Sequence, residues 1–185
     1  MRSVFPATPL QRNVLLSERY DADIWLKRED LSPVRSYKIR GAFNAMRKQQ
    51  GQDLFVCASA GNHAQGVAYM CKHLNVKGVI FMPVTTPQQK IQKTRIFGGD
   101  NVDIHLIGDY FDDTLAAAQA WCAEQGGHFL SLGVSVVNSW WFDSTNTVVQ
   151  APGGESCRKQ CYRYLSLWLP LLSKRDGTQT VLSGR

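Results

Sequence analysis

Phe55-Val56-Cys57-Ala58 and Val79-Ile80-Phe81-Met82 are near-continuous apolar runs bounded by polar turn residues, the pattern of strands buried on both faces. Between them Val67, Ala68, Cys71 and Leu74 recur at helical spacing and give an inward stripe. The pattern then repeats. Thr86-Pro87-Gln88-Gln89 reads as a capping-box helix start and Gly98-Gly99 as a stop, while Val102 to Leu106 alternates as a half-buried strand does. A last helix from about Tyr110 to Glu124 is closed by Gly126-Gly127, with one more strand at Phe129-Leu130. Strands alternating with helices of this length predict an α/β chain with right-handed crossovers and a mostly parallel sheet.

Ahead of that stretch, Thr8-Pro9-Leu10-Gln11 predicts a helix running to about Arg19, because Pro suits the first helical position and the Thr/Gln spacing allows a capping box. Ile24-Trp25-Leu26 reads as a short strand ending in the charged turn Lys27-Arg28-Glu29-Asp30. Ser32-Pro33 keeps the chain non-helical until Ser36, which puts Lys38 in a first helical turn. From there Ile39, Ala42, Phe43 and Met46 form one apolar stripe, with Arg40, Arg47 and Lys48 on other faces. After about residue 131 the texture changes. Val134 to Val137 suits a strand, yet Trp140-Trp141, Pro152-Gly153-Gly154 and the apolar run from Leu165 to Leu172, broken by Pro170, follow no sustained period.

Composition excludes several classes. The net charge of +6 comes from Lys and Arg scattered without a basic block or interleaved aromatics, so no nucleic acid is expected as partner. Five cysteines, Cys57, Cys71, Cys122, Cys157 and Cys161, are odd in number and argue against a disulfide framework, and no metal site of recognisable spacing is present. With no apolar signal core or membrane-length run, the cytoplasm is the expected location.

The chemistry sits in two runs, Ser36-Tyr37-Lys38-Ile39-Arg40-Gly41-Ala42 and Ser59-Ala60-Gly61-Asn62-His63-Ala64-Gln65-Gly66. A lone lysine in a first helical turn is most often a solvated cation. A helix N-terminus nonetheless disfavours a cation, so a lysine there is destabilising unless neutral, paired or covalently consumed, and Schiff-base chemistry would resolve that conflict. Tyr37 suits stacking on a flat heteroaromatic group and equally suits ordinary core packing. The second run lies where a buried strand hands over to a helix, where free N–H groups hold a carboxylate or phosphate. The plain alternative is that Ser59 or Asn62 merely caps the helix and that His63 packs or faces solvent.

Taken together, Lys27-Arg28-Glu29-Asp30-Leu31, the Lys38 run, the Ser59 to Gly66 run, Met82-Pro83-Val84-Thr85-Thr86-Pro87 with Lys90, and Phe97-Gly98-Gly99-Asp100 resemble threonine dehydratase (threonine ammonia-lyase), of the serine/threonine dehydratase family, over roughly residues 8 to 130. The resemblance implies a tryptophan-synthase β-like fold (fold type II), with parallel sheets and flanking helices. Residues 1–53 would be the N-terminal part of the large lobe, 54–130 the small α/β lobe, and 131–185 an atypical tail with no family match. It implies pyridoxal 5'-phosphate as cofactor, held covalently by Lys38, with Tyr37 beside its ring and Asn62 bonded to its phenolic oxygen. Ser59, Ala60, Gly61, Asn62 and His63 would form the place where the substrate carboxylate binds. The implied reaction converts L-threonine to 2-oxobutanoate and ammonia, for isoleucine biosynthesis, by a homo-oligomer.

The Ala-Gly-Asn-His form of the second run favours dehydratases and serine racemase over cysteine synthases. Serine dehydratase or serine racemase is the nearest rival. The family's tetraglycine phosphate loop and the residue facing the pyridine nitrogen have no counterpart in residues 131–185. The large lobe is therefore expected to be incomplete and the chain impaired or inactive alone, which leaves a fragment that binds a ligand or a partner chain as the third reading.

Overall fold

The computed structural model describes residues 4–49, 51–131 and 147–150. They fall into two compact units, one built on residues 32–131 with the stretch before Ala7, the other on residues 7–31 with 147–150.

In the smaller unit, strand β1 (Leu10–Arg12) is followed by helix α1 (Val14–Tyr20) and strand β2 (Asp23–Lys27). The helix expected from Pro9 onward is thus corrected. Leu10–Arg12 pairs antiparallel with Trp25–Lys27, and the Thr8 hydroxyl donates to the buried Glu29 carboxylate at 2.6 Å instead of capping a helix. The helix starts only at Asn13, whose side chain accepts the Leu16 N–H at 2.9 Å, the ordinary work of an N-cap asparagine.

The larger unit opens with helix α2 (Lys38–Lys48), strand β3 (Leu54–Ala58) and helix α3 (Asn62–Leu74). Strand β4 (Lys77–Met82), helix α4 (Gln88–Gly98), strand β5 (Val102–Leu106), helix α5 (Phe111–Gln125) and strand β6 (His128–Phe129) complete it. A seventh strand, β7 (Thr147–Gln150), pairs antiparallel with β2 in the smaller unit. The other expected features of the tail, the strand at 134–137 among them, lie outside the described residues.

The sheet of the larger unit has the order β5-β4-β3-β6 and every pairing in it is parallel. Alternate residues of β3 and β4 serve opposite cores, which is why both strands read as unbroken apolar runs. Phe55, Cys57, Ile80 and Met82 pack with Ile39, Ala42 and Met46 of α2, with Val67 and Cys71 of α3, and with Ile91 of α4. Val56, Ala58, Val79 and Phe81 pack on the far face with Ala118 and Trp121 of α5. The chain therefore steps from β3 to β4 to β5 over one face and returns over the other, through α5, to lay β6 on the free edge of β3.

Two local expectations differ. Leu74, read as part of the inward stripe, is 36% exposed because α3 ends there at the left-handed Asn75, and Val76 takes over the contact with the core. The capping box at Thr86 does not form: Pro87 is the N-cap of α4 and no side chain bonds to it. Cys57 and Cys71 are buried free thiols and Cys122 is a free, partly buried one.

Candidate functional site

Sheet order reverses between β3 and β6, so the crevice beyond their carboxyl ends is where an open parallel sheet leaves room for a ligand. β3 runs into Ser59, and β6 into Leu130. Ser59 is buried and its N–H donates to the Phe81 carbonyl at 2.9 Å, which prolongs the sheet by one rung. Its hydroxyl accepts the Gly61 N–H at 3.2 Å and holds the Ser59-Ala60-Gly61 turn. Gly61 then serves as N-cap of α3 without any side-chain capping bond. Neither Ser59 nor Asn62 serves as the N-cap of this helix, although the Ser59 hydroxyl does bond the N-cap amide. The first amides of α3 stay available at its positive end, with open space around Gly61.

Asn62 is the first residue of α3 and is exposed, whereas His63 is only 5% exposed. The His63 ring spans the crevice, with Nε2 3.3 Å from the Leu130 carbonyl. Burial, opposed by that carbonyl and helped by the nearby Lys38 charge, pushes its pKa down to about 4. The imidazole is accordingly neutral at pH 7, and since a carbonyl only accepts, Nε2 carries the hydrogen.

Lys38 is the first residue of α2, as its spacing predicts, and is half-buried. Its Nζ lies over the Tyr37 ring, 5.3 Å from the centroid, a distance at which ring and ammonium attract. Its backbone N–H donates to the Ser36 hydroxyl at 3.3 Å. α2 packs on α3 at a point where Gly66 allows a close approach: a Cβ there would lie 3.1 Å from the Ile39 nitrogen and 3.2 Å from the Lys38 carbonyl carbon. Lys38, Tyr37, Ser59, Ala60, Gly61, Asn62 and His63 all belong to the larger unit, and of these Lys38 and His63 interact electrostatically.

Two contributors went unread in the sequence. Gly66 sits inside a helix, where glycine is destabilising by ~1 kcal/mol relative to alanine, and that oddity is a signal of close approach. The Leu130 carbonyl gives no sequence signal, since any residue supplies a carbonyl.

This arrangement fits pyridoxal phosphate. An amine on one helix start, an aromatic ring beside it and uncapped amides on a second helix start are groups that would serve as covalent anchor, stacking face and anion cradle. Among the described residues no group of three or more His, Cys, Asp or Glu is placed to hold a metal ion, and no helix is long and apolar enough to cross a membrane.

Residues 3–150 match the family model described as pyridoxal-phosphate dependent enzyme. The chain is 51% identical over 133 residues to L-threonine dehydratase biosynthetic IlvA of Bacillus subtilis, covering 70% of this chain and 32% of that protein. It is 50% identical over the same length to the protein of that name from Staphylococcus saprophyticus, again 70% and 32%. Among solved structures, the processed form of threonine deaminase isoform 2 from Solanum lycopersicum superposes with a TM-score of 0.63 at 38% identity, covering 68% of this chain and 34% of that one. Maize serine racemase, at 23% identity and a TM-score of 0.61 over 68% of this chain and 38% of its own, shares the fold. The chain spans about a third of the length of the curated relatives it matches.

Proposed function

The chain belongs to the pyridoxal-phosphate dependent enzyme family, and we propose that it serves the threonine ammonia-lyase reaction, L-threonine to 2-oxobutanoate and ammonia. The observation that carries this reading is the packing of Gly66 against the Lys38–Ile39 peptide. It brings the helix start that carries the amine into close packing with the helix that carries the open amides.

Lys38 would hold the cofactor, Tyr37 would lie beside its ring and Asn62 would donate a hydrogen bond to it. The bound cofactor supplies a conjugated system that spreads the negative charge left when a Cα proton departs. The residues around it do the rest. The uncapped amides at Asn62 and His63, with Ser59, Ala60 and Gly61 lining the turn, receive the substrate carboxylate. With its amine free, Lys38 would take the Cα proton and would pass a proton on to the β-hydroxyl, which would leave as water. His63 is neutral and its ring is engaged with Leu130, so what it offers the substrate is its backbone N–H.

In the complete fold, residues 1–53 would start the larger lobe, 54–130 would be the smaller lobe and 131–185 a tail, of which the family match reaches residue 150. The biosynthetic names of the relatives support a place in isoleucine synthesis; a cytoplasmic homo-oligomer is part of the proposal.

The test is the absorption of the purified chain with pyridoxal phosphate before and after borohydride, with Lys38→Ala beside it, followed by ammonia release from threonine and serine. An adduct fixed to Lys38 together with 2-oxobutanoate from threonine supports the proposal. A folded chain that captures the cofactor equally well without Lys38, or that only racemises serine, overturns it.

A further inference from the structure

We propose that Ser32 is a positioning residue for Lys38, acting through Ser36; this rests on the reading of Lys38 as the cofactor-bearing lysine. One hydroxyl satisfies both backbone groups of Ser36: Ser32 Oγ donates to the Ser36 carbonyl at 3.1 Å and accepts the Ser36 N–H at 3.0 Å. The Ser36 hydroxyl in turn accepts the Lys38 N–H at 3.3 Å. Ser32 and Ser36 are 4% and 5% exposed, so water does not replace these bonds.

The turn they enclose is strained. The Arg35 N–H donates to the Ser32 carbonyl at 2.8 Å, and Arg35 sits at φ +53°, a left-handed conformation that non-glycine residues seldom adopt. Such a residue stays there only when its surroundings hold it. The restraint on its C-terminal side is the Ser32–Ser36 pair. Tyr37, the N-cap of α2, makes no side-chain capping bond, so the Ser36 hydroxyl is the side-chain group that meets the first amide of the helix. Removing the Ser32 hydroxyl leaves two buried backbone groups unpaired and lets Arg35 relax, and the helix start carrying Lys38 shifts with it.

The experiment compares wild type, Ser32→Ala and Ser32→Thr, with thermal melts confirming folding. Amide hydrogen exchange is read at Ser36 and Lys38, and borohydride-fixed pyridoxal phosphate is mapped on Lys38. In Ser32→Ala the Lys38 amide should exchange ~10-fold faster, the scale of one lost buried hydrogen bond. Capture at Lys38 should fall several-fold, and Ser32→Thr, which keeps the hydroxyl, should restore both. Faster exchange confined to Ser36, with Lys38 unchanged, overturns the proposal, as does failure of Ser32→Thr to rescue. Should Ser32→Ala lose its cooperative melt, Ser36→Ala decides: the same Lys38 signature supports the relay and its absence overturns it. If the wild type captures no cofactor on Lys38, the proposed function falls, while the exchange data still decide the relay.

Discussion

Gly66 of α3 rests on the peptide that follows Lys38, close enough that a methyl group there would sit 3.2 Å from the Lys38 carbonyl carbon. Two effects oppose each other in Gly66→Ala. Alanine favours the helix by ~1 kcal/mol, whereas overpacking typically costs ~1–3 kcal/mol, and the atoms in the way are backbone rather than movable side chain. Clash wins, so we expect a net loss of ~1–2 kcal/mol in denaturant titration and weaker cofactor capture at Lys38. Gly61→Ala, with no atom within 4 Å of its new Cβ, should leave the melt nearly unchanged.

His63 makes stability depend on pH in a defined window. Its pKa is about 4 in the folded chain and ~6.5 when unfolded, so between those values the unfolded state binds more protons and stability rises with pH. The contribution is complete above pH ~6.5 and is lost as pH falls through the folded value, at most ~3 kcal/mol. Melting temperatures from pH 4 to 7.5 should show this slope in wild type and lose it in His63→Gln. An unchanged slope in the variant would place the effect elsewhere.

Burial raises the Cys57 thiol out of the physiological range and the Cys71 thiol to about 12. Both thiols therefore stay protonated at pH 8, and the thiolate is what reacts. Of the three described cysteines, Cys122, on the partly exposed face of α5, should alkylate first. Mass-mapped labelling under native conditions checks the order, which denaturant should abolish.

Thr86 is buried and its hydroxyl finds no partner among the described residues. An unpaired buried hydroxyl is destabilising by ~1–3 kcal/mol, so Thr86→Val, nearly equal in shape, should raise the melting temperature. A drop would show that the hydroxyl bonds after all.

How far these features were legible follows from their range along the chain. β3, β4, α2 and α3 declared themselves because their apolar spacing is local and each strand is sandwiched between two cores. Gly98-Gly99 stopped α4 as read. Thr8 to Gln11 misled because pairing of Leu10 with Lys27 and the bond from Thr8 to Glu29 outweigh a local capping pattern. Thr86 misled in the same way, its side chain being turned inward. The lysine and the glycine-bearing turn were visible as motifs. Their mutual fit through Gly66, the tie from His63 to Leu130 and the Ser32 turn were not, since each depends on where a distant or strained backbone ends up.

The return of α5 across the far face of the sheet also sets an order of assembly. His63 and the carbonyl it meets are 67 residues apart, and the loop between them must close before the bond stabilises anything. A chain emerging in sequence completes β3, α3, β4 and β5 first, and gains the second wall of the crevice only when β6 docks. The crevice is therefore the last part of this unit to be supplied in chain order, and a nascent chain stopped ahead of Leu130 would carry its lysine and its glycine turn without the second wall.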